Sequence, residues 1–105
     1  MKNMFDIMKQ AQQLQSRMQD LQTELESAEV EGRAGGGLVA VTMSGKGEVK
    51  KVSIDPSLMK DEEREVLEDL VVAACADAKS KAEALAAEKM KAVTGGLPIP
   101  PGLGL

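Results

Sequence analysis

An apolar residue recurs every three or four positions through the first quarter of the chain, and this repeat is the strongest constraint on the fold. The spacing alternates between three and four over more than three repeats, which is the a/d pattern of a helix that packs along another helix. Asn3 can cap the start of this helix. We predict a helix over about residues 4–27 and interpret its apolar line as a contact between subunits. This line, the seam, consists of Met4, Ile7, Ala11, Leu14, Met18, Leu21 and Leu25.

After the seam the apolar period shortens to two, which is typical of strands. Three short strands are predicted at about 29–34, 38–44 and 48–54, separated by glycine-containing segments of hairpin-loop length. Placing Ser44 opposite Glu48 sets the register of the second hairpin. The predicted pairs are then Leu38 with Ile54, Ala40 with Val52 and Thr42 with Lys50.

A second long helix is predicted over about residues 61–94. Pro56 ends the sheet before it, acidic residues fill its first turns, and Gly95-Gly96 stop it. Residues 95–105 form a Pro- and Gly-rich tail without charge, which suits neither a helix nor a regular strand. Two interpretations of the tail stay open, a loosely ordered end or an extended segment that docks on the sheet or on a partner. We predict one domain over 1–105.

Composition favours an oligomer. Aromatic residues make up 1% of the 105 residues, so the core must be built from aliphatic side chains. A small domain with so few aromatics has difficulty closing a core alone. The single cysteine, Cys75, excludes an intramolecular disulfide and favours a reducing compartment. The sequence has no run of 18 consecutive apolar residues, so no membrane span is predicted.

The glycine-rich stretch "GRAGGGLVAVTMSGKGEVKKVSID" (32–55) does not read as a phosphate loop. Gly32 and Gly37 have Walker A spacing, but Leu38 stands where the lysine must be. A dinucleotide fingerprint must open a helix, whereas this segment opens a strand. The chain has no histidine, so the commonest general base and most zinc sites are missing. We predict no enzymatic activity, no cofactor and no metal.

Charge restricts how the chain can bind nucleic acid. Its formal net charge is −4, so bulk attraction to a polyanion is excluded and any binding must use local basic patches. Ordinary solvated helix faces are the alternative interpretation of these lysines and arginines. The candidate contacts on the helices are Lys2, Lys9, Arg17, Lys79, Lys81, Lys89 and Lys91. Secondary candidates beside the second turn are Lys46, Lys50 and Lys51.

Four segments together resemble the YbaB/EbfC family of bacterial nucleoid-associated proteins. They are "MKQAQQLQSRMQDLQTEL", "AGGGLVAVTMSGKGEVKKVSIDPSL", "LEDLVVAACADAKSKAE" and "GGLPIPPG", in the family's order over nearly the whole chain. The resemblance implies an α+β subunit of α-β-β-β-α order, with a three-stranded antiparallel meander between two long helices. It also implies an intertwined homodimer with a shared sheet core, and binding to DNA in the nucleoid of the bacterial cytoplasm.

The functional prediction is therefore a nucleoid-associated DNA-binding homodimer, with a role in nucleoid organisation and gene regulation. A coiled-coil interaction or scaffold protein that does not bind DNA is the alternative, because the seam and the apolar tail suit it equally well.

Overall fold

A computed structural model describes residues 3–94; Lys2 and the tail 95–105 lie outside the described residues. The elements are helix α1 (Met4–Ser27), strands β1 (Glu29–Ala34), β2 (Val39–Ser44) and β3 (Val49–Ile54), and helix α2 (Arg64–Thr94). Short 3-10 turns at Gly35–Gly37, Pro56–Leu58 and Asp61–Glu63 link them. The α-β-β-β-α order predicted from the sequence is confirmed.

Side chains from outside helix α1 stabilise both of its ends. The Asn3 side chain accepts a hydrogen bond from the Asp6 backbone N–H at 2.9 Å, as expected for an N-cap. The last turn has no basic residue. Two lysines of the β2–β3 turn region supply positive charge there instead. Lys50 Nζ donates to the carbonyl of Glu26 at 3.0 Å, and Lys46 Nζ lies 3.1 Å from the Glu26 carboxylate. Positive charge at a helix C-terminus is favourable, so these lysines fix where the helix meets the sheet.

The three strands form an antiparallel sheet in the order β1-β2-β3. The predicted register of the second hairpin is correct only next to the turn, where the Ser44 N–H donates to the Glu48 carbonyl at 2.8 Å. A bulge then leaves Lys50 without a cross-strand partner, and the remaining pairs move by one residue. The observed pairs are Thr42 with Lys51, Val41 with Val52 and Val39 with Ile54.

The bulge changes which residues of β3 share a face with the core residues of β2. Ile54 and Val52 lie on the same face as Val39 and Val41, whereas the predicted pairs placed them with Leu38 and Ala40. The buried face of β2 consists of Val39, Val41 and Met43. Neither α1 nor α2 covers the opposite face of the sheet, which bears the polar side chains of Glu31, Arg33, Thr42, Lys51 and Ser53.

Helix α2 packs across β1 and β2 through its smallest side chains. Ala74 and Ala78 are fully buried there, and Gly32 of β1 lies directly beneath them. A Cβ at Gly32 would overlap the carbonyl oxygen of Ala74 and the amide nitrogen of Ala78. Helix and strand backbones therefore touch without an intervening side chain, which explains both the buried glycine and the alanines of α2.

Strand β3 lies beyond the reach of this helix. Its helix-side residues Val49 and Val52 are 51% and 43% exposed, whereas Val39 and Val41 of the adjacent β2 are fully buried. Apolar side chains in the same sheet face thus differ only in whether α2 covers them. That face is therefore open at Val49 and Val52, whereas Ile54 of β3 packs against the core.

Most of α1 projects away from the sheet, giving a subunit with principal extents of 71, 25 and 15 Å. Only Leu21 and Leu25 of the seam are buried, Leu25 against Gly45 of the β2–β3 turn. The remaining five positions, which we call the outer seam, are exposed except for the half-buried Met18. They are Met4, Ile7, Ala11, Leu14 and Met18.

Replacing Gly32 by alanine tests the close contact between α2 and β1. The added methyl group has to push two backbones apart, so we expect the free energy of unfolding to fall by about 1–3 kcal/mol. Urea unfolding followed by circular dichroism measures it. Gly36→Asn is the control, because Gly36 has a φ of 69° and no atom near a built Cβ, and asparagine adopts this conformation readily. Equal losses in the two variants would contradict the packing argument.

Candidate nucleic-acid interface

The candidate cations lie on two parts of the molecule. Lys9 and Arg17 are on α1, and Lys89 and Lys91 are on the last turns of α2, which runs antiparallel to α1 at this end. Lys89 Nζ lies 3.3 Å from Glu24 Oε2, and Val93 shares a shallow depression with Arg17. We call this end of the molecule the arm. It contains four of the seven primary candidates, and a fifth, Lys2, lies outside the described residues.

Structural contacts occupy several of the candidates. Lys89 pairs with Glu24, and Lys46 and Lys50 hold the end of α1 through Glu26. Lys81 donates to the Glu31 carbonyl at 2.8 Å. Because these side chains are partly exposed, each pair contributes only about 0–1 kcal/mol to stability. The pairs do, however, neutralise positive charge that the sequence prediction counted as available.

Five predicted cations form neither an ion pair nor a side-chain hydrogen bond within the part of the chain that the structure describes. Three of them lie along the arm, and the other two lie at the sheet end. The unpaired cations are Lys9, Arg17, Lys51, Lys79 and Lys91. The structure therefore does not unite the six primary candidates that it describes into one surface.

The sequence prediction missed a polar surface on the outer face of the sheet. Arg33, Thr42, Lys51 and Ser53 line a shallow open region there, together with the Gly36-Gly37 turn. Arg33 Nη2 pairs with Glu31 Oε2 at 3.2 Å, so the surface is mixed in charge. Alternation along the strands could have placed Arg33 and Lys51 on one face, but only with the correct register.

The negative charge of the chain is concentrated at the far end of α2. Residues 60–69 contain six carboxylates and two cations, a surplus that equals the whole net charge of −4. The rest of the chain is electrically neutral. Helix α2 has 31 residues, so its acidic start and its arm end are about 45 Å apart. This separation exceeds the ~8–10 Å Debye length at physiological salt, and the acidic segment is screened from the arm.

One carboxylate connects α2 to the edge of the sheet. Asp77 Oδ2 accepts a hydrogen bond from the backbone N–H of Arg33 at 3.0 Å and lies 3.1 Å from Lys81 Nζ. The Arg33 N–H first, and then Lys81, hold the pKa of Asp77 below its ordinary value. Since Lys81 also donates to the Glu31 carbonyl, two side chains of α2 occupy backbone groups on the outer edge of β1.

The chain matches the model of the YbaB/EbfC DNA-binding family over residues 1–97. The protein belongs to the YbaB/EbfC family. The family is described by DNA binding and not by an enzymatic activity. The fold and the length of this chain also agree with those of known relatives.

Two relatives of this YbaB/EbfC protein are called nucleoid-associated proteins. The one from Nitrobacter hamburgensis is 62% identical over 105 residues, covering 100% of this chain and 99% of the relative. The one from Rhodopseudomonas palustris strain TIE-1 is 63% identical with the same coverage. A crystal structure of the uncharacterized protein HP0035 from Helicobacter pylori superposes with a TM-score of 0.72. It covers 92% of this chain and 98% of HP0035 at 21% identity, which shows a shared fold.

Residues 3–94 of the YbaB/EbfC chain contain neither a cluster of metal ligands nor a membrane-spanning helix. No cluster of three or more His, Cys, Asp or Glu side chains there is arranged to hold a metal ion. Neither α1 nor α2 has the length and apolar character of a membrane-spanning helix.

The lowered pKa of Asp77 gives the fold a defined acid sensitivity. A carboxylate with a depressed pKa stabilises the folded state above its unfolded pKa of about 3.9, and this contribution disappears as the pH falls through the folded pKa. We expect Asp77→Asn to be less stable than the parent protein at neutral pH and to lose less stability on acidification below about pH 4. Urea unfolding at a series of pH values measures both effects.

The control for this prediction is Asp69→Asn, which removes an exposed carboxylate of α2 that makes no hydrogen bond within the described residues. It should retain the acid dependence of the parent protein. An Asp77→Asn variant with the parental pH profile would show that the contact with Arg33 and Lys81 does not support the fold.

Proposed function

We propose that this protein binds DNA as a homodimer in the bacterial nucleoid, with the arm as the contact surface. The observation that carries the proposal is the position of Lys9, Arg17 and Lys91, which stay unpaired on the arm while the net negative charge lies at the other end of α2. The family description and the names of the relatives support DNA as the partner.

The contacts expected from such a surface are with phosphates. Flexible, exposed lysine and arginine side chains on helix faces bind the backbone and carry no base code by themselves. The arm adds three unpaired cations to a region that also contains Asp6 and Asp20. Binding is then short-range and strongly dependent on salt. Nucleoid organisation and effects on gene expression would follow from such contacts along the chromosome.

The open part of the sheet is the surface we propose for the dimer. Strand β3 has β2 on one side, and no hydrogen bond from another described element reaches its outer backbone edge. Val49 and Val52 beside this edge are exposed apolar residues. Edge-to-edge pairing of two β3 strands would satisfy the backbone groups and bring these valines together across the twofold axis. Intertwining of the two chains remains a prediction.

A contact between the outer seams of two subunits is the alternative to the β3 dimer, as the heptad spacing of the seam predicts. Because Leu21 and Leu25 are buried inside the subunit, a contact between α1 helices would rest on the outer seam alone. This arrangement also underlies the rival function, a scaffold protein that joins other helices without binding DNA.

A DNA titration separates these functions. Fluorescence anisotropy of a labelled duplex at several salt concentrations gives the slope of log K against log salt. Replacing Lys9, Arg17 or Lys91 by glutamine should lower the magnitude of this slope by about 0.9, or by twice that when both arms of a dimer engage the duplex. Binding should weaken to a similar degree on unrelated sequences.

The matched control is Lys60→Gln, which removes the same charge from the acidic end of α2. It should leave the salt slope unchanged. A parent protein that does not bind duplex at low salt would rule out the DNA function and favour the scaffold. A slope that falls for Lys60→Gln but not for the arm variants would place the DNA contact elsewhere.

The dimer surface is tested by adding one negative charge at three places. Val52→Asp on the open helix-side face of β3 should shift the sedimentation equilibrium from two chains to one, by roughly tenfold or more in the dissociation constant. Ser53→Asp adds the same charge to the next residue, on the opposite face, and should have little effect. Dissociation by Leu14→Asp instead of Val52→Asp would assign the dimer to the outer seam.

A further inference from the structure

The seam changes from buried to exposed at the point where α2 ends. Leu21 is 2% exposed because α2 covers it, whereas Ile7 on the same line is 58% exposed. Between them, Leu14 is 37% exposed and Met18 is half-buried. The apolar periodicity itself continues without a break. The sequence therefore encodes an apolar contact for the outer seam that residues 3–94 of one subunit do not supply.

Helix α2 runs toward this exposed surface. Lys89 lies beside Glu24, and one turn later Val93 lies beside Arg17 and Leu21. Each residue further along α2 thus meets a residue nearer the start of α1. The depression that contains Val93 lies at the border of the seam, because its α1 residues are the seam residue Leu21 and the polar Arg17, Asp20 and Glu24. Helix α2 therefore ends next to the first uncovered turns of α1.

The tail has the length and the chemistry to cover the outer seam. From Arg17 to Met4 the helix measures about 20 Å, at 1.5 Å per residue. The eleven residues 95–105 can span about 34 Å in a polyproline II conformation. They carry no charge and include four large aliphatic side chains, Leu97, Ile99, Leu103 and Leu105. Their three prolines limit the conformational entropy that docking has to overcome.

The same chain is a better source of this cover than a second subunit. An antiparallel β3–β3 pair would make the two arms leave opposite ends of the joined sheet, because each α1 departs at the β2–β3 turn, where Gly45 contacts Leu25. The outer seams of the two subunits would then be far apart. A tail joined directly to α2, by contrast, is present at millimolar effective concentration.

We propose that residues 97–105 pack along the outer seam of their own subunit, with aliphatic side chains against Ile7, Leu14 and Met18. The end of α2 would then cover the inner part of the seam, and the tail, as an extended segment, would cover the outer seam. The arm would consequently be a three-part structure, built from α1, the end of α2 and the tail, with its cations on the polar sides.

Tryptophan fluorescence tests the tail contact in the full-length protein. The chain contains no Trp or Tyr, so one introduced tryptophan is the only strong emitter. Leu14→Trp places it on the outer seam, and Gln12→Trp places it at the same height on the opposite side of α1. We expect bluer emission and at least twofold weaker acrylamide quenching for Leu14→Trp. Adding Ile99→Ser and Leu103→Ser should remove this difference without affecting Gln12→Trp.

Dilution distinguishes the tail from a partner helix. A tail of the same chain protects the tryptophan of Leu14→Trp equally at all protein concentrations, whereas protection by a second subunit decreases on dilution. Protection that is independent of Ile99 and Leu103, or absent altogether, would overturn the proposal. No DNA is involved in these measurements, so the outcome is separate from that of the DNA titration.

Discussion

The contact between the backbones of α2 and β1 is the constraint on which the remaining architecture depends. Gly32 lies against Ala74 and Ala78 with no side chain between the elements. Such an approach sets the height of the helix above the sheet, and therefore how far its other side chains reach. Because α2 lies close above β1 and β2, it does not cover Val49 and Val52 of β3. The same placement directs the end of α2 toward α1 and brings Asp77 and Lys81 over the sheet edge.

The sequence predicted the order of the elements well because each carries a local signal. The seam, the alternating strands and the capping residue Asn3 all act within a few positions of one another. The bulge at Lys50 has no comparable signal, because Lys50 follows Val49 in a regular pattern. The wrong partners predicted for Val52 and Ile54 followed directly from that one residue.

Candidate cations were harder to predict than the fold, because a lysine in a sequence does not reveal its partner. Lys46 and Lys50 lie about twenty residues from Glu26, and Lys89 lies 65 residues from Glu24. Only the folded chain brings these groups together. Arg17 and Lys91, equally plain in the sequence, remain unpaired. The negative surplus of residues 60–69 could be read directly, but its distance from the arm required the length and orientation of α2.

The two edges of the sheet are unequal, and this inequality limits how large an assembly can become. Side chains of α2 already bind the outer carbonyl and amide groups of β1, whereas β3 is open. A sheet with two free edges can add subunits without end and grow into a fibre. A sheet with one free edge stops growing once that edge is joined to its equivalent. Asp77 and Lys81 of α2 thus block strand pairing at the β1 edge. Assembly through strand pairing is therefore limited to a finite number of chains.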